Sequence, residues 1–211
     1  AIETLKPISL SNPENIQARE ILAEVFYQRG NFDHSIAEYR RILERNSDYL
    51  PAYVQLGWIY YRKGEFQMAT SWTKRGLRLG TRSPQLDSLS SMNLGLYSWL
   101  SDDYLAAKNW YRKALVGGSE IVLDGILKDL KNTSLLFPDH TEVDFFSGWV
   151  YMEAGEKKMA LPHLTKFLTL ATENELSSEA RVMLGQKLPP TDNSSNATNK
   201  SSTAIQSIKN M

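Results

Sequence analysis

Hydrophobic residues recur every three or four positions along most of the chain, the spacing of one face of an α-helix. In the first such segment Leu22, Val25 and Phe26 follow this spacing. A glycine followed by a polar residue and then an aromatic residue interrupts the pattern at Gly30 and again at Gly64. Glycine in this position is typical of a left-handed residue that closes a helix. The pattern therefore predicts short antiparallel helices and an all-α fold.

The pattern also repeats along the chain. Two segments of 34 residues, 16–49 and 50–83, align without gaps, and Phe26 in the first matches Tyr60 in the second. A third copy near residues 88–118 follows a four-residue insertion, and a fourth lies at residues 141–172. A helix pair of this length buries too little apolar surface to fold alone, so neighbouring copies must stack on one another.

These copies resemble the tetratricopeptide repeat, a helix–turn–helix unit of 34 residues. The second copy carries the residue types that the family places at its characteristic positions: Tyr53, Leu56, Gly57, Tyr60, Ala69 and Gly76. The resemblance covers about residues 13–172. It implies a right-handed α-solenoid of antiparallel helix pairs, in which Gly57 and Ala69 let two helices approach closely.

The resemblance suggests limits for the parts of the chain. We expect the solenoid to span residues 13–187, with an irregular helical segment at 119–137 and a closing helix at 175–187. The irregular segment is either one long helix or a broken short pair. Residues 1–12 resemble the remnant of a preceding repeat or a linker. The polar, Pro/Asn/Ser-rich residues 188–211 have the composition of a flexible tail.

In this family, certain positions of each first helix line the inner, concave face of the solenoid. The resemblance places a mostly apolar row at these positions, which we take as the candidate partner-binding groove: Tyr27, Val54, Trp58, Tyr61, Met92, Leu96, Trp99, Phe145 and Trp149. Glu20 and Glu24 occupy such positions in the first copy and give the row an acidic end. Tyr60 is instead expected in the core, beside Gly57.

Two explanations of the apolar row remain open. Solvated helix faces are normally polar, so large apolar side chains in a row call for burial. Either the row is an open groove that holds a partner, or its members contact one another or the helical segment 119–137. The carboxylate clamp with which some family members bind acidic chaperone tails is absent, because its positions hold Glu20, Gln55 and Leu89.

The composition and the sequence motifs argue against several classes of partner and of catalytic site. Lys+Arg and Asp+Glu both number 24, so the net charge is zero and gives no support to a nucleic-acid partner or a membrane surface. The chain has no cysteine, no phosphate-binding loop and no His-Glu-x-x-His sequence. No apolar run is long enough to predict a transmembrane helix. We therefore expect no enzyme, no cofactor and no metal site, in a soluble chain that is cytoplasmic or associated with the cell envelope.

Together these observations predict a non-catalytic protein-binding scaffold or assembly factor. Its groove would hold an apolar peptide or an amphipathic helix. The alternative is a self-association or regulatory domain of a larger protein, in which the same face meets a second copy or a neighbouring domain. A homo-oligomer is compatible with either function.

Overall fold

The computed structural model describes residues 15–80, 84–116 and 119–188, and these residues form ten α-helices and no strand. The helices are α1 (Ile16–Gln28), α2 (Phe32–Arg45), α3 (Leu50–Arg62), α4 (Phe66–Arg78), α5 (Pro84–Trp99), α6 (Tyr104–Leu115), α7 (Glu120–Leu136), α8 (Val143–Glu153), α9 (Lys157–Leu170) and α10 (Glu175–Met183). The predicted fold class, an all-α solenoid of antiparallel helix pairs, is confirmed. The predicted remnant at 1–12 and the predicted tail, apart from Leu188, lie outside the described residues.

The chain divides into two compact units, one up to Asp129 and the other from Leu130 onward. In the first unit, α1 pairs with α2, α3 with α4, and α5 with α6. In the second, α8 pairs with α9, and α10 packs against both. The irregular segment is a single helix, α7, and the boundary between the units falls within it. That one solenoid spans residues 13–187 stays a prediction.

A single residue with a positive φ angle forms the turn between the two helices of each of these pairs. Gly30, Gly64 and Gly155 all have positive φ angles, of 73°, 77° and 82°, as a left-handed helix end requires. In the third pair Asp102 takes the equivalent place with φ 59°, which aspartate tolerates better than most residues. Asp103 follows it and accepts a hydrogen bond of 3.1 Å from the backbone N–H of Ala106. This side chain therefore caps the start of α6, as its residue type predicts.

Three glycines allow the two helices of a pair to touch. A Cβ atom added to Gly57, Gly95 or Gly148 would overlap Thr73, the ring of Tyr111 or Leu164, respectively. Tyr60 lies next to the first of these contacts in the chain and is buried, as predicted. Its hydroxyl accepts a hydrogen bond of 2.9 Å from Arg40 Nη2 of the preceding repeat. The core thus consists of close contacts within pairs and of side chains that bridge successive pairs.

The contact at Gly57 leads to a prediction about stability. We expect Gly57→Ala to lower the free energy of unfolding by about 1–3 kcal/mol, because overpacked cores lose about this much. The added Cβ would lie 2.1 Å from Thr73 Oγ1 and 3.2 Å from the carbonyl oxygen of Ala69. Urea denaturation of the purified chain measures the loss.

Thr73→Ala provides the matched test of this geometry. It removes the hydroxyl oxygen that clashes and keeps the Cβ of residue 73, which lies at an acceptable 3.5 Å from the added atom. The double variant Gly57→Ala/Thr73→Ala should therefore regain much of the lost stability. Strict additivity of the two single changes would show that the helices do not meet at this point.

Candidate functional site

The structure buries most of the predicted groove. Six of its nine residues are buried: Val54, Tyr61, Leu96, Trp99, Phe145 and Trp149. The remaining three, Tyr27, Trp58 and Met92, are partly exposed. An open groove lined by all nine side chains is therefore not observed. Their positions on first helices are as expected, but in most cases the chain itself covers them.

Tyr61 is covered by its aromatic neighbours. Its ring stacks on that of Tyr97 with the centroids 5.7 Å apart, and it lies 6.5 Å from the ring of Phe66. Only 1% of Tyr61 is exposed. Because Tyr97 belongs to the next first helix, α5, this stacking joins the second repeat to the third. Tyr61 thus packs between repeats, where a partner has little of it to contact.

Trp58 and Tyr27 form the part of the row that reaches the surface. The indole Nε1–H of Trp58 donates a hydrogen bond of 2.8 Å to the hydroxyl oxygen of Tyr27. The indole ring also lies 4.8 Å from the ring of Tyr61, centroid to centroid. Trp58 is therefore held in place by its ring contact with Tyr61 and by its hydrogen bond to Tyr27. A large aromatic side chain that is fixed and still partly exposed is well suited to anchor a partner.

At the third repeat the row meets α7. A Cβ atom added to Gly125 of α7 would lie 2.7 Å from Cε of Met92. The terminal methyl group of Met92 therefore packs against the backbone of α7 at Gly125. Of the two explanations of the apolar row, contact with segment 119–137 is thus observed at Met92.

The same helix brings a carboxyl group close to two buried phenols. Burial raises the pKa of Asp129 to about 6, and the neighbouring Lys128 opposes this rise. Burial also raises the pKa of Tyr97 and Tyr111 well above the usual value, and the charge of Asp129 adds to both shifts. Asp129, which sequence reasoning passed over, thus lies beside the interior of the third repeat.

The acidic end of the row lies beside tyrosines of the first repeat. The hydroxyl of Tyr49 donates a hydrogen bond of 2.9 Å to Glu20 Oε2. Burial raises the pKa of Tyr39, and the charges of Glu24 and Glu20 raise it further. Both carboxylates therefore lie close to Tyr39 and remain partly exposed. A basic group of a partner would find a favourable potential at this end.

In the second unit the two predicted groove residues pack inward. Phe145 is fully buried, with ring centroids 5.3 Å from Phe146 and 5.4 Å from Phe167. Trp149 is also buried. Next to them in the chain, Asp144 forms an ion pair of 2.6 Å with Lys166 of α9. Phe145 and Trp149 therefore belong to the core of this unit.

The described residues contain no cluster of three or more His, Cys, Asp and Glu side chains arranged to hold a metal ion. Within the same part of the chain, no helix combines the length and the hydropathy needed to cross a membrane.

Comparison with known proteins agrees with the repeat pattern. Residues 1–51 and 22–85 match the tetratricopeptide repeat family. Tetratricopeptide repeat protein 8 of Caenorhabditis elegans is 28% identical over 151 residues, a match that covers 62% of this chain. The chain spans only 28% of the length of that relative.

Solved structures share the fold at low sequence identity. MamA superposes with a TM-score of 0.53 at 18% identity, over 80% of this chain and 85% of MamA. PilW, described as a type IV pilus biogenesis factor, superposes with a TM-score of 0.51 at 14% identity, over 86% of this chain and 88% of PilW. Such identities support the fold alone. The family match thus identifies tetratricopeptide repeats within residues 1–85, and the helix pairs of the chain share the fold of these solved structures.

Proposed function

We propose that this chain is a non-catalytic protein-binding scaffold whose site lies on the first helices of the N-terminal unit. The observation that carries the proposal is the pair Trp58 and Tyr27, which are hydrogen-bonded to each other, partly exposed and supported by the buried Tyr61. A fixed indole at the surface buries much area on binding and loses little rotamer entropy.

The proposed occupant is an apolar peptide or an amphipathic helix with a basic residue near one end. Its apolar face would cover Trp58 and Tyr27, and its basic residue would lie near Glu20 and Glu24. The buried Tyr61 would support this site through its ring contact with Trp58. An assembly role, as the name of PilW states for that protein, is a further part of the proposal.

Binding should depend on Trp58 more than on any other side chain of this face. Peptides selected on the full-length chain from a display library would provide the ligand, and a fluorescence titration would measure its affinity. We expect Trp58→Ala to weaken binding by about 2–4 kcal/mol, as the loss of a buried interface anchor does. Tyr27→Phe keeps the ring and removes the acceptor of the indole N–H, so its cost should be about 1 kcal/mol.

Two control variants test whether the loss of affinity comes from the site around Trp58. Trp110→Ala removes another partly exposed indole, from the second helix α6, and should leave this affinity unchanged. Tyr60→Ala should lower the melting temperature, because that ring is buried. If Trp58→Ala lowers the melting temperature of the isolated chain as much as Tyr60→Ala does, Trp58 belongs to the core and the site lies elsewhere.

Light scattering tests the alternative function. A monomer with intact Trp58 agrees with a scaffold for another protein. A dimer that Trp58→Ala converts to a monomer would instead mean that this face binds a second copy of the chain.

A further inference from the structure

The second helices of the second and third repeats carry positive charges and no negative ones. Helix α4 contains Lys74, Arg75 and Arg78, and neither it nor α6 contains an aspartate or a glutamate. The basic residues of α6 are Lys108, Arg112 and Lys113. The two helices also share a sequence: residues 72–75 read WTKR and residues 110–113 read WYRK, at equivalent repeat positions. The zero net charge of the whole chain therefore conceals a local concentration of cations.

The first of the shared tryptophans lies among cations of two helices. Arg75 lies over the ring of Trp72, with its Cζ 5.6 Å from the ring centroid. Arg40 of α2 lies over the same ring at 5.7 Å. Trp72 is partly exposed, and both arginines are exposed. Cations at this distance from an indole are attracted by the electron density of its face.

The second tryptophan repeats the arrangement. Lys113 lies over the ring of Trp110, with its Nζ 5.2 Å from the centroid, and Lys74 of α4 lies over it at 5.9 Å. Because Lys74 belongs to the neighbouring repeat, this contact joins α4 to α6. Arg40, Trp72, Lys74, Arg75, Trp110 and Lys113 thus form a continuous surface across three second helices, which we call the basic stripe.

The cations of the basic stripe lack carboxylate partners. The structure records no ion pair between Lys74, Arg75 or Lys113 and any aspartate or glutamate of the described residues. Like charges held close together repel, and contacts with the indole rings offset part of this repulsion. Carboxylates of a partner would relieve it.

We propose that the basic stripe binds an acidic segment of a partner protein. The site is separate from the one around Trp58, which lies on first helices and has an acidic end. The cations, already oriented by the indoles, would pair with aspartate and glutamate side chains, while the exposed edges of Trp72 and Trp110 would contact the apolar residues between them. The chain would then hold two partner segments of opposite charge on different helices.

The geometry favours an acidic peptide over a nucleic acid. Proteins that bind single strands stack bases on open aromatic faces. Here each indole ring already has two cations over it, so the ring face is not open. The stripe also ends at α2, where Glu44 is exposed and would repel a longer polyanion. Both features favour a short acidic segment of a protein over a nucleic acid.

A fluorescein-labelled poly-glutamate peptide tests the proposal on the full-length chain by fluorescence anisotropy. We expect the wild-type chain to bind the peptide and to release it as salt concentration rises, because exposed charge pairs are screened. Lys74→Glu/Arg75→Glu should weaken binding by about tenfold, since attraction at two positions becomes repulsion. Lys157→Glu/Lys158→Glu makes the same change of charge at exposed positions of α9 and should leave binding within about twofold of wild type.

Circular dichroism would confirm that both double variants are folded. Trp110→Phe keeps an aromatic ring and would measure the contribution of the indole to binding without reversing a charge. No binding of poly-glutamate by the wild type, or equal loss in the two double variants, would overturn the proposal. Tighter binding of a single-stranded oligonucleotide than of poly-glutamate would overturn it in favour of a nucleic acid. A dimer that disappears in Lys74→Glu/Arg75→Glu would overturn it in favour of self-association. None of these outcomes bears on the Trp58 site.

Discussion

Replacing Trp99 by alanine should lower the free energy of unfolding by about 3–5 kcal/mol, the usual cost of truncating a large buried aromatic residue. Trp99 is fully buried and is the largest side chain that the described residues enclose completely. Its removal would leave a cavity near the end of α5, and the helices around it can close such a cavity only in part. The family resemblance places Trp99 in the candidate partner-binding groove and leaves open whether that row is exposed or covered by the chain itself.

Urea denaturation of Trp99→Ala and Trp58→Ala, both without a ligand, separates the two interpretations. Trp58→Ala should lower the free energy of unfolding clearly less than Trp99→Ala does. Trp58 is partly exposed, so its truncation removes less buried apolar surface. Equal midpoints and slopes for the two variants would contradict the assignment of Trp99 to the core. So would a Trp99→Ala chain that melts like the wild type.

The repeat positions predicted the packing within helix pairs well. Gly57 lies against the partner helix, and Tyr60 is buried beside it. Both follow from a rule that acts within one repeat: two helices joined by a short turn approach most closely where one has no side chain. Such a rule needs only the spacing of residues along the chain. It therefore transfers from the family to this sequence without knowledge of the neighbouring repeats.

The predicted groove depended on contacts that the spacing does not contain. A position on a helix determines the direction in which a side chain points. It does not determine which other residues cover that side chain. Tyr61 faces the inner side and is covered by Tyr97 of the next repeat. Met92 faces the same side and meets Gly125 of α7, a helix outside the repeat pattern. The cover of the row thus comes from residues far along the chain, so repeat spacing left an open groove and a covered row as alternatives and could not decide between them.

The basic stripe was hidden for a different reason. A total of 24 basic and 24 acidic residues describes the chain as neutral, although charges act over about 10 Å at ordinary salt concentrations. Counting charges by helix would have revealed α4 and α6, because neither contains a carboxylate. The equivalence of Trp72 and Trp110 was also visible in the alignment. Their contacts with cations of neighbouring repeats required the structure.

The ion pair between Arg19 and Glu38 makes the first repeat sensitive to a single change. Arg19 Nη1 donates a hydrogen bond of 2.9 Å to Glu38 Oε2, and the two side chains are only 9% and 8% exposed. Arg41 pairs with the other carboxylate oxygen from the surface. We expect Glu38→Ala to lower the free energy of unfolding by about 3–5 kcal/mol, because it removes the carboxylate that pairs with the buried charge of Arg19.

Thermal and urea denaturation would measure this loss, with Glu44→Ala as the control on the same helix. Glu44 is exposed, and its removal should change stability by no more than about 0.5 kcal/mol. The double variant Arg19→Met/Glu38→Leu removes both charges and fills the space with apolar atoms, so it should be far more stable than Glu38→Ala. This rescue separates the cost of removing the carboxylate from Arg19 from the cost of lost packing. If the double variant is as unstable as Glu38→Ala, packing around residue 38, rather than the buried charge of Arg19, accounts for the loss.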